Sequence, residues 1–379
     1  MNLVNFGESL RAGNWRFVIQ LYEAARCFSV YSERHNCWWE IVLERVADDE
    51  QRSWRPQVRG ASLRARFWIG LVQTVNRLLR KSVGAENQET KPFDVVTARK
   101  RVKFLENIIA MVPSSATFED AKDAPVAGPW VWIEGVPQAR TLLYVHGGSF
   151  MLERSGVHDA LIANICRETE ARAFVLDYRL APENPFPAGI EDVKAAYRWL
   201  LEQGVDLDTF GIVADSAGGG LALAALISLR DEGVAMPGAM VLLGPWVDMT
   251  LSGNSILSNL ENDPMVSSLE GLNMCSRLYL QGHPPTDPLA SPLFADLSGL
   301  PPTLIHVGAP EILRDDSTRL ATRLREAGGE AWCDVYPRMP HVWHRLGPLL
   351  PETRRSIKEI GDFLRQMLPG RPEEKRKVG

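Results

Sequence analysis

Residues 210–226 read FGIVADSAGGGLALAAL. An apolar run ends at Asp215-Ser216-Ala217, three glycines follow, and a Leu/Ala-rich stretch begins. The first part suits a buried strand and the last a buried helix. A turn between two such elements needs one glycine, or two. Three of them beside a serine mean that something approaches the backbone closely there.

The same alternation runs outward from this point. Short apolar runs at 130–135, 141–146, 173–178, 210–215, 239–244, 303–308 and 331–336 predict strands. Helical stretches at 157–170, 188–203, 217–232, 315–328 and 352–368 lie between and after them. Strands without polar alternation, interleaved with helices, predict an α/β fold with a mostly parallel sheet flanked by helices on both faces. Ligands bind such sheets beyond the carboxyl ends of their strands, and Ser216 stands at one of those ends.

Composition narrows the class. The 379 residues suffice for one large domain with appendages, and the net charge of −5 argues against a nucleic-acid partner. Five scattered cysteines (Cys27, Cys37, Cys166, Cys275, Cys333) form no CxxC pair, which predicts reduced thiols and no zinc site. Neither a signal peptide nor a membrane-spanning run is evident, so a cytoplasmic protein is the expectation. Residues 1–58, rich in Trp, Arg and Glu, are expected to form a helical extension of two short amphipathic helices with no assignable chemistry. RGASLRARFWIGLVQTVNRLLRK (59–81) and VVTARKRVKFLENIIAMV (95–112) carry helical periodicity with basic residues on the other face. Such helices suit a membrane surface, but their ordinary use is packing on their own protein. The tail RPEEKRKVG (371–379) reads as disordered.

The chemistry centres on Ser216. A-D-S-A-G at 214–218 is a variant of the G-x-S-x-G elbow, in which a serine on a strained strand-to-helix turn holds its hydroxyl clear of the sheet. Upstream, YVHGGSF (144–150) follows another predicted strand, and its adjacent glycines leave backbone N–H groups uncovered, as an oxyanion hole requires. The alternative is a simple glycine turn with a structural His146. A serine alkoxide needs a base and the base an orienting acid, in the chain order Ser, Asp/Glu, His. Glu311 and His341 each fall just past a predicted strand end, with Asp315 and His344 as reserves. Asp315 and Asp316 are otherwise expected to cap the helix that follows. His306 lies within a strand and reads as a core histidine, and the HxxH of His341 and His344 lacks a third metal ligand.

Taken together, HGGSF (146–150), DYRLAPENPFPAGIEDV (177–193), DSAGG (215–219), GPWVDMT (244–250), EILRDDS (311–317) and MPHVW (339–343) make the chain resemble the hormone-sensitive-lipase-like, bacterial family IV, esterases of the α/β-hydrolase fold. The resemblance spans about 140–345. It implies a cofactor-free, metal-free serine carboxylesterase acting on short-chain acyl esters. Ser216 is then the nucleophile, His341 the general base and acid, Glu311 the orienting acid, and Gly147, Gly148 and Ala217 the oxyanion hole. It also implies a helical cap from residues 59–115 and 250–290 over a catalytic domain at 116–368, and a possible homodimer through about 331–368. The chain departs from the family at Ser149, where a third glycine is usual and a side chain narrows the acyl side or lends a hydroxyl, at Ala214 and at Glu311 in place of Asp. DYRLAPENPFPA reads as a scaffold for the oxyanion loop, with Asp177 and Arg179 expected to pair. An N-acetyl or lactone hydrolase is the nearest alternative. An inert ligand-binding receptor on the same fold is the more distant one, since all three triad residues are present.

Overall fold

The computed structural model describes residues 94–260, 262–263 and 269–370, residues 61, 62 and 65, and four strands between residues 9 and 42. Those four strands overturn the expected N-terminal helices. β1 (Ser9–Ala12), β2 (Trp15–Tyr22), β3 (Cys27–Ser32) and β4 (Cys37–Val42) pair in chain order as an antiparallel sheet within a unit of their own, Met1–Arg55. The reason is legible in β2, where Trp15, Phe17, Ile19 and Leu21 recur with period two, and in the Gly13-Asn14 pair between β1 and β2.

The second unit, Pro56–Gly379, is built on an eight-stranded sheet. Its strands are β5 (Ala116–Asp120), β6 (Pro129–Ile133), β7 (Arg140–Val145), β8 (Ala171–Leu176), β9 (Phe210–Asp215), β10 (Ala239–Leu243), β11 (Thr303–Gly308) and β12 (Ala331–Tyr336). Their order across the sheet is β12-β11-β10-β9-β7-β8-β6-β5, with β7 to β12 parallel and β5 and β6 antiparallel at one edge. Every residue of β7, β9, β10 and β11 is buried, so both faces of the central sheet are covered.

The covering helices include α1 (Val95–Ile109), α2 (Gly156–Thr169), α3 (Ala188–Glu202) and α4 (Ala217–Asp231). They continue with the short α5 (Ser255–Ser258), then α6 (Leu269–Leu280), α7 (Arg314–Glu326) and α8 (Pro351–Met367). Helix α2 packs on α8 and α3 on α4. Three elements have no counterpart among the predicted ones: β5, whose residues are only partly buried or exposed, the short α5, and α6. Most of the helix expected at 59–81, and the tail at 371–379, lie outside the described residues. Among those residues no helix is long and apolar enough to cross a membrane.

Helix α1 forms as expected, but it docks by its polar side. Arg99 donates to the carbonyls of Met151 and Ala181 at 2.6 and 2.7 Å and pairs with Glu183, while Asn107 Oδ1 accepts the Gly156 N–H at 2.7 Å. Its apolar residues Phe104, Leu105, Ile108 and Ile109 are exposed.

Candidate active site

Ser216 joins β9 to α4 at φ 52°, ψ −124°, a conformation that L-residues rarely adopt. Neighbouring backbone holds it there. The Ser216 N–H donates to Leu243 O at 2.9 Å, and Ser216 O accepts the Trp246 N–H at 3.0 Å. The three glycines now have their reason. A Cβ at Gly218 would lie 2.2 Å from Val145 O, one at Gly219 2.7 Å from Pro245 Cβ, and one at Gly220 2.4 Å from Trp246 O. The start of α4 is therefore wedged between the loop after β7 and the loop after β10, and positions 218–220 have no room for methyl groups.

His341 Nε2 lies 2.9 Å from Ser216 Oγ, and His341 Nδ1 lies 2.7 Å from Glu311 Oε2. Glu311 follows β11 and is wholly buried. Its Oε1 accepts the Gly308 N–H at 2.5 Å. Two glycines make space for this pair: a Cβ at Gly244 would lie 2.7 Å from Glu311 Oε2 and 3.0 Å from His341 Nδ1, and one at Gly308 1.9 Å from Met339 O. Burial pushes the Glu311 carboxyl up to about 7, against the pull of His341. Burial opposes charge on His341 too, but the adjacent Glu311 charge and hydrogen bond outweigh it, and the imidazole is raised above its ordinary range. A hydroxyl, an imidazole and a carboxylate in one hydrogen-bonded line can move a proton off the serine and keep the resulting imidazolium stable.

The loop after β7 lies against the same turn. The N–H groups of Gly148, Ser149 and Ala217 have no hydrogen-bond acceptor among the described residues. Gly147 differs from the expectation. Its N–H is given to Asp215 Oδ1 at 3.0 Å, and a Cβ on it would lie 2.5 Å from Asp215 Oδ2 and 2.9 Å from Ser216 Cβ. It therefore fastens the loop to the elbow, and its N–H is already taken. His146 is buried, stacks on Tyr178 at 4.5 Å and holds Nδ1 2.7 Å from Gly147 O.

A family profile described as the alpha/beta hydrolase fold matches residues 142–345. An acetyl-hydrolase of Streptomyces hygroscopicus is 43% identical over 235 residues, 62% of this chain and 78% of the relative. An esterase of Acinetobacter venetianus is 35% identical over 223 residues, 59% of this chain and 73% of the relative. The crystal structure of an esterase from the bacterial hormone-sensitive lipase family superimposes with a TM-score of 0.73 at 37% identity, covering 82% of this chain and all of that one. The chain belongs to the hormone-sensitive-lipase-like esterases of the α/β-hydrolase fold.

Within this esterase the remaining sequence candidates sit elsewhere. His344, the reserve base, is buried with Nε2 3.3 Å from Nδ1 of His306, the strand histidine, and makes no hydrogen bond to Ser216. Asp315 and Asp316 do not cap their own helix: Asp315 Oδ2 accepts the Ser255 N–H at 2.9 Å, and Asp316 Oδ2 accepts those of Val247 and Asp248 at 3.0 and 3.1 Å. They tie the segment after β10 to α7. Asp177 and Arg179 do not pair with each other. Asp177 meets Arg154 at 2.8 Å and Arg179 meets Asp192 at 2.7 Å, because side chains two apart on an extended segment point to opposite sides. The segment still supports the loop after β7: the Tyr178 hydroxyl donates to His146 O and the Ala181 N–H to Phe150 O, both at 2.9 Å.

Two residues escaped sequence reading. Asn259 Nδ2 donates to Ala309 O and Glu311 O at 3.0 and 2.8 Å, and Asp263 Oδ2 accepts the Ile312 N–H at 3.1 Å. Both hold the loop that carries Glu311 from a distant part of the chain. Nothing in their local sequence, SNLEND at 258–263, marks that role.

Proposed function

We propose that this esterase hydrolyses short-chain acyl esters with Ser216 as nucleophile, His341 as general base and acid, and Glu311 as the orienting acid. The observation that carries the reading is the hydrogen-bonded line from Ser216 Oγ through both nitrogens of His341 to Glu311, at 2.9 and 2.7 Å. Ser216 attacks the ester carbonyl as His341 takes its proton. His341 returns that proton to the departing alcohol, and water then releases the acid by the same steps in reverse. The uncommitted N–H groups of Gly148 and Ala217 serve the developing oxyanion, and the N–H of Ser149 takes the place that Gly147 leaves. Each such donor is worth about 10²–10³-fold in turnover.

A second reading, removal of acetyl groups, is favoured by the acetyl-hydrolase relative, whose name leaves open whether the acetyl is held as ester or amide. One experiment separates the two. Hydrolysis of p-nitrophenyl esters from acetate to palmitate, and of p-nitroacetanilide, is followed for the wild type and Ser216→Ala. Ester turnover that peaks at short chains and drops on the order of a millionfold in the variant supports the proposal. Preference for the anilide would move the assignment to amides. No turnover, together with no labelling of Ser216 by a fluorophosphonate, would leave an inert binding protein.

A further inference from the structure

Helix α6 packs on the loop after β7. Ser149 and Phe150 both sit in the left-handed region, at φ 53° and 64°, where two successive residues with side chains persist only if their surroundings hold them. Phe150 is 3% exposed, and its ring lies face to face with that of Tyr279 on α6, centroids 3.9 Å apart and planes 10° apart. On its other contact, Phe150 lies 5.5 Å from Trp246, whose N–H holds Ser216 O. Tyr279 is fixed in turn: its carbonyl accepts the Phe186 N–H at 2.8 Å, and the Phe186 ring meets it edge-on at 5.9 Å. Cys275, one turn earlier on α6, has the Ser149 side chain as a neighbour. The two positions are four apart and face the same way. One face of α6 thus touches both left-handed residues.

We infer that Tyr279 is a positioning residue for the ester hydrolysis proposed above: through its stack on Phe150 it holds the oxyanion loop in its strained, donor-presenting form. The inference rests on the esterase reading. Without the stack, Phe150 loses the ring that opposes its return to ordinary backbone angles, and the N–H groups of Gly148 and Ser149 turn from the reacting carbonyl. Those groups act on charge that exists only in the transition state, so the loss falls on turnover and spares substrate binding.

The test uses Tyr279→Phe, which keeps the ring, and Tyr279→Leu, which keeps apolar bulk without it. Steady-state kinetics on p-nitrophenyl butyrate are measured together with the affinity for a trifluoromethyl ketone that forms a tetrahedral adduct on Ser216. The expected result is kcat lower by about 30–100-fold in the Leu variant, KM within about twofold, ketone affinity reduced in parallel, and the Phe variant near wild type. Should the Leu variant fail to fold, Phe150→Leu removes the same stack from the loop side and must give the same split. Wild-type turnover with an unchanged kcat, or with lost kcat but intact ketone affinity, would overturn the role of Tyr279 alone. A wild type that turns over no ester would overturn the esterase reading and this role with it.

Discussion

Gly147 gives its backbone N–H to Asp215 Oδ1 at 3.0 Å, and the same carboxylate oxygen accepts the Tyr144 hydroxyl at 2.6 Å. The residue immediately before Ser216 on β9 therefore fixes the loop after β7, and the elbow and that loop share one buried anchor. Asp215→Ala would leave two buried donors without an acceptor, at about 1–3 kcal/mol each. We expect it to cost about 2–5 kcal/mol in urea unfolding and at least tenfold in kcat. Asp215→Asn retains an oxygen at that position and should do less damage on both counts. Equal losses from the two variants would contradict the anchor.

Steric need at the elbow makes a second prediction. A methyl at Gly218 meets backbone carbonyls on the neighbouring loop, which cannot swing aside as a flexible side chain would. Gly218→Ala should destabilise by about 3 kcal/mol or more and abolish turnover. Gly204→Ala is the control: it sits at φ 76° with no atom within 4 Å of a new Cβ, so only the backbone penalty of about 1 kcal/mol applies, and turnover should be unchanged. Thermal melts and kcat for both variants decide it.

The pH profile follows from the His341–Glu311 pair. A protonated His341 cannot accept the proton of Ser216, so kcat/KM must fall in acid. The imidazole is raised above its ordinary 6.5, with burial opposing and Glu311 prevailing, so the midpoint of that fall should lie above 6.5. Glu311→Gln removes the charge that raises it. The acid limb should then move to lower pH while kcat drops by roughly 10⁴-fold. An acid limb that stays in place in the Gln variant would mean that another group sets it.

Asp316 makes a prediction about stability. Burial, helped by Asp248, raises its carboxyl from 3.8 to about 7 against the N–H bonds of Val247 and Asp248 and the pull of Arg319. Between about pH 4 and 7 the folded chain keeps a proton there that the unfolded chain has released, so stability falls as pH rises through that window. Asp316→Asn keeps an acceptor oxygen and loses the ionisation. Relative to wild type it should gain roughly 1–3 kcal/mol between pH 4 and pH 8 in urea unfolding. A difference that does not change with pH would assign the titration elsewhere.

Asn259 offers a fifth case. Asn259→Ala withdraws the donors from two carbonyls beside the acid loop and should cost about 1–3 kcal/mol. Because Glu311 stands on that loop, kcat should fall more than KM rises. Unchanged kinetics would show that the loop keeps its shape without the amide.

What could be read in advance divides along physical lines. β9, β11 and β12 have the limits that their apolar runs predict: β9 and β11 are buried throughout and β12 in part, and apolar residues dominate each run even with His306 and Asp334 within them. Ser216, Glu311 and His341 were legible because each stands where such a run stops. β5 was not, since a partly exposed edge strand carries no such signature. The paired glycines mark the loop after β7, but which of its N–H groups remains available depends on Asp215, a contact across strands that local spacing does not encode. The partners of Asp177 and Arg179, and the roles of Asn259 and Asp263, likewise arise from long-range packing. The N-terminal strands differ again: β2 carries a period-two pattern, but the Trp, Arg and Glu content of residues 1–58 suits an amphipathic helix equally well.

The grip of Asn259 and Asp263 on the Glu311 loop bears on protein engineering. The family resemblance treats residues 250–290 as one cap segment, yet Ser255, Asn259 and Asp263 are bonded to residues 309–315, the stretch that carries Glu311. A chimera that imported a relative's lid with its junction near residue 250 would import a foreign mount for the recipient's own acid. The crossover belongs after Asp263, where the graft can carry α6 and leave that mount native.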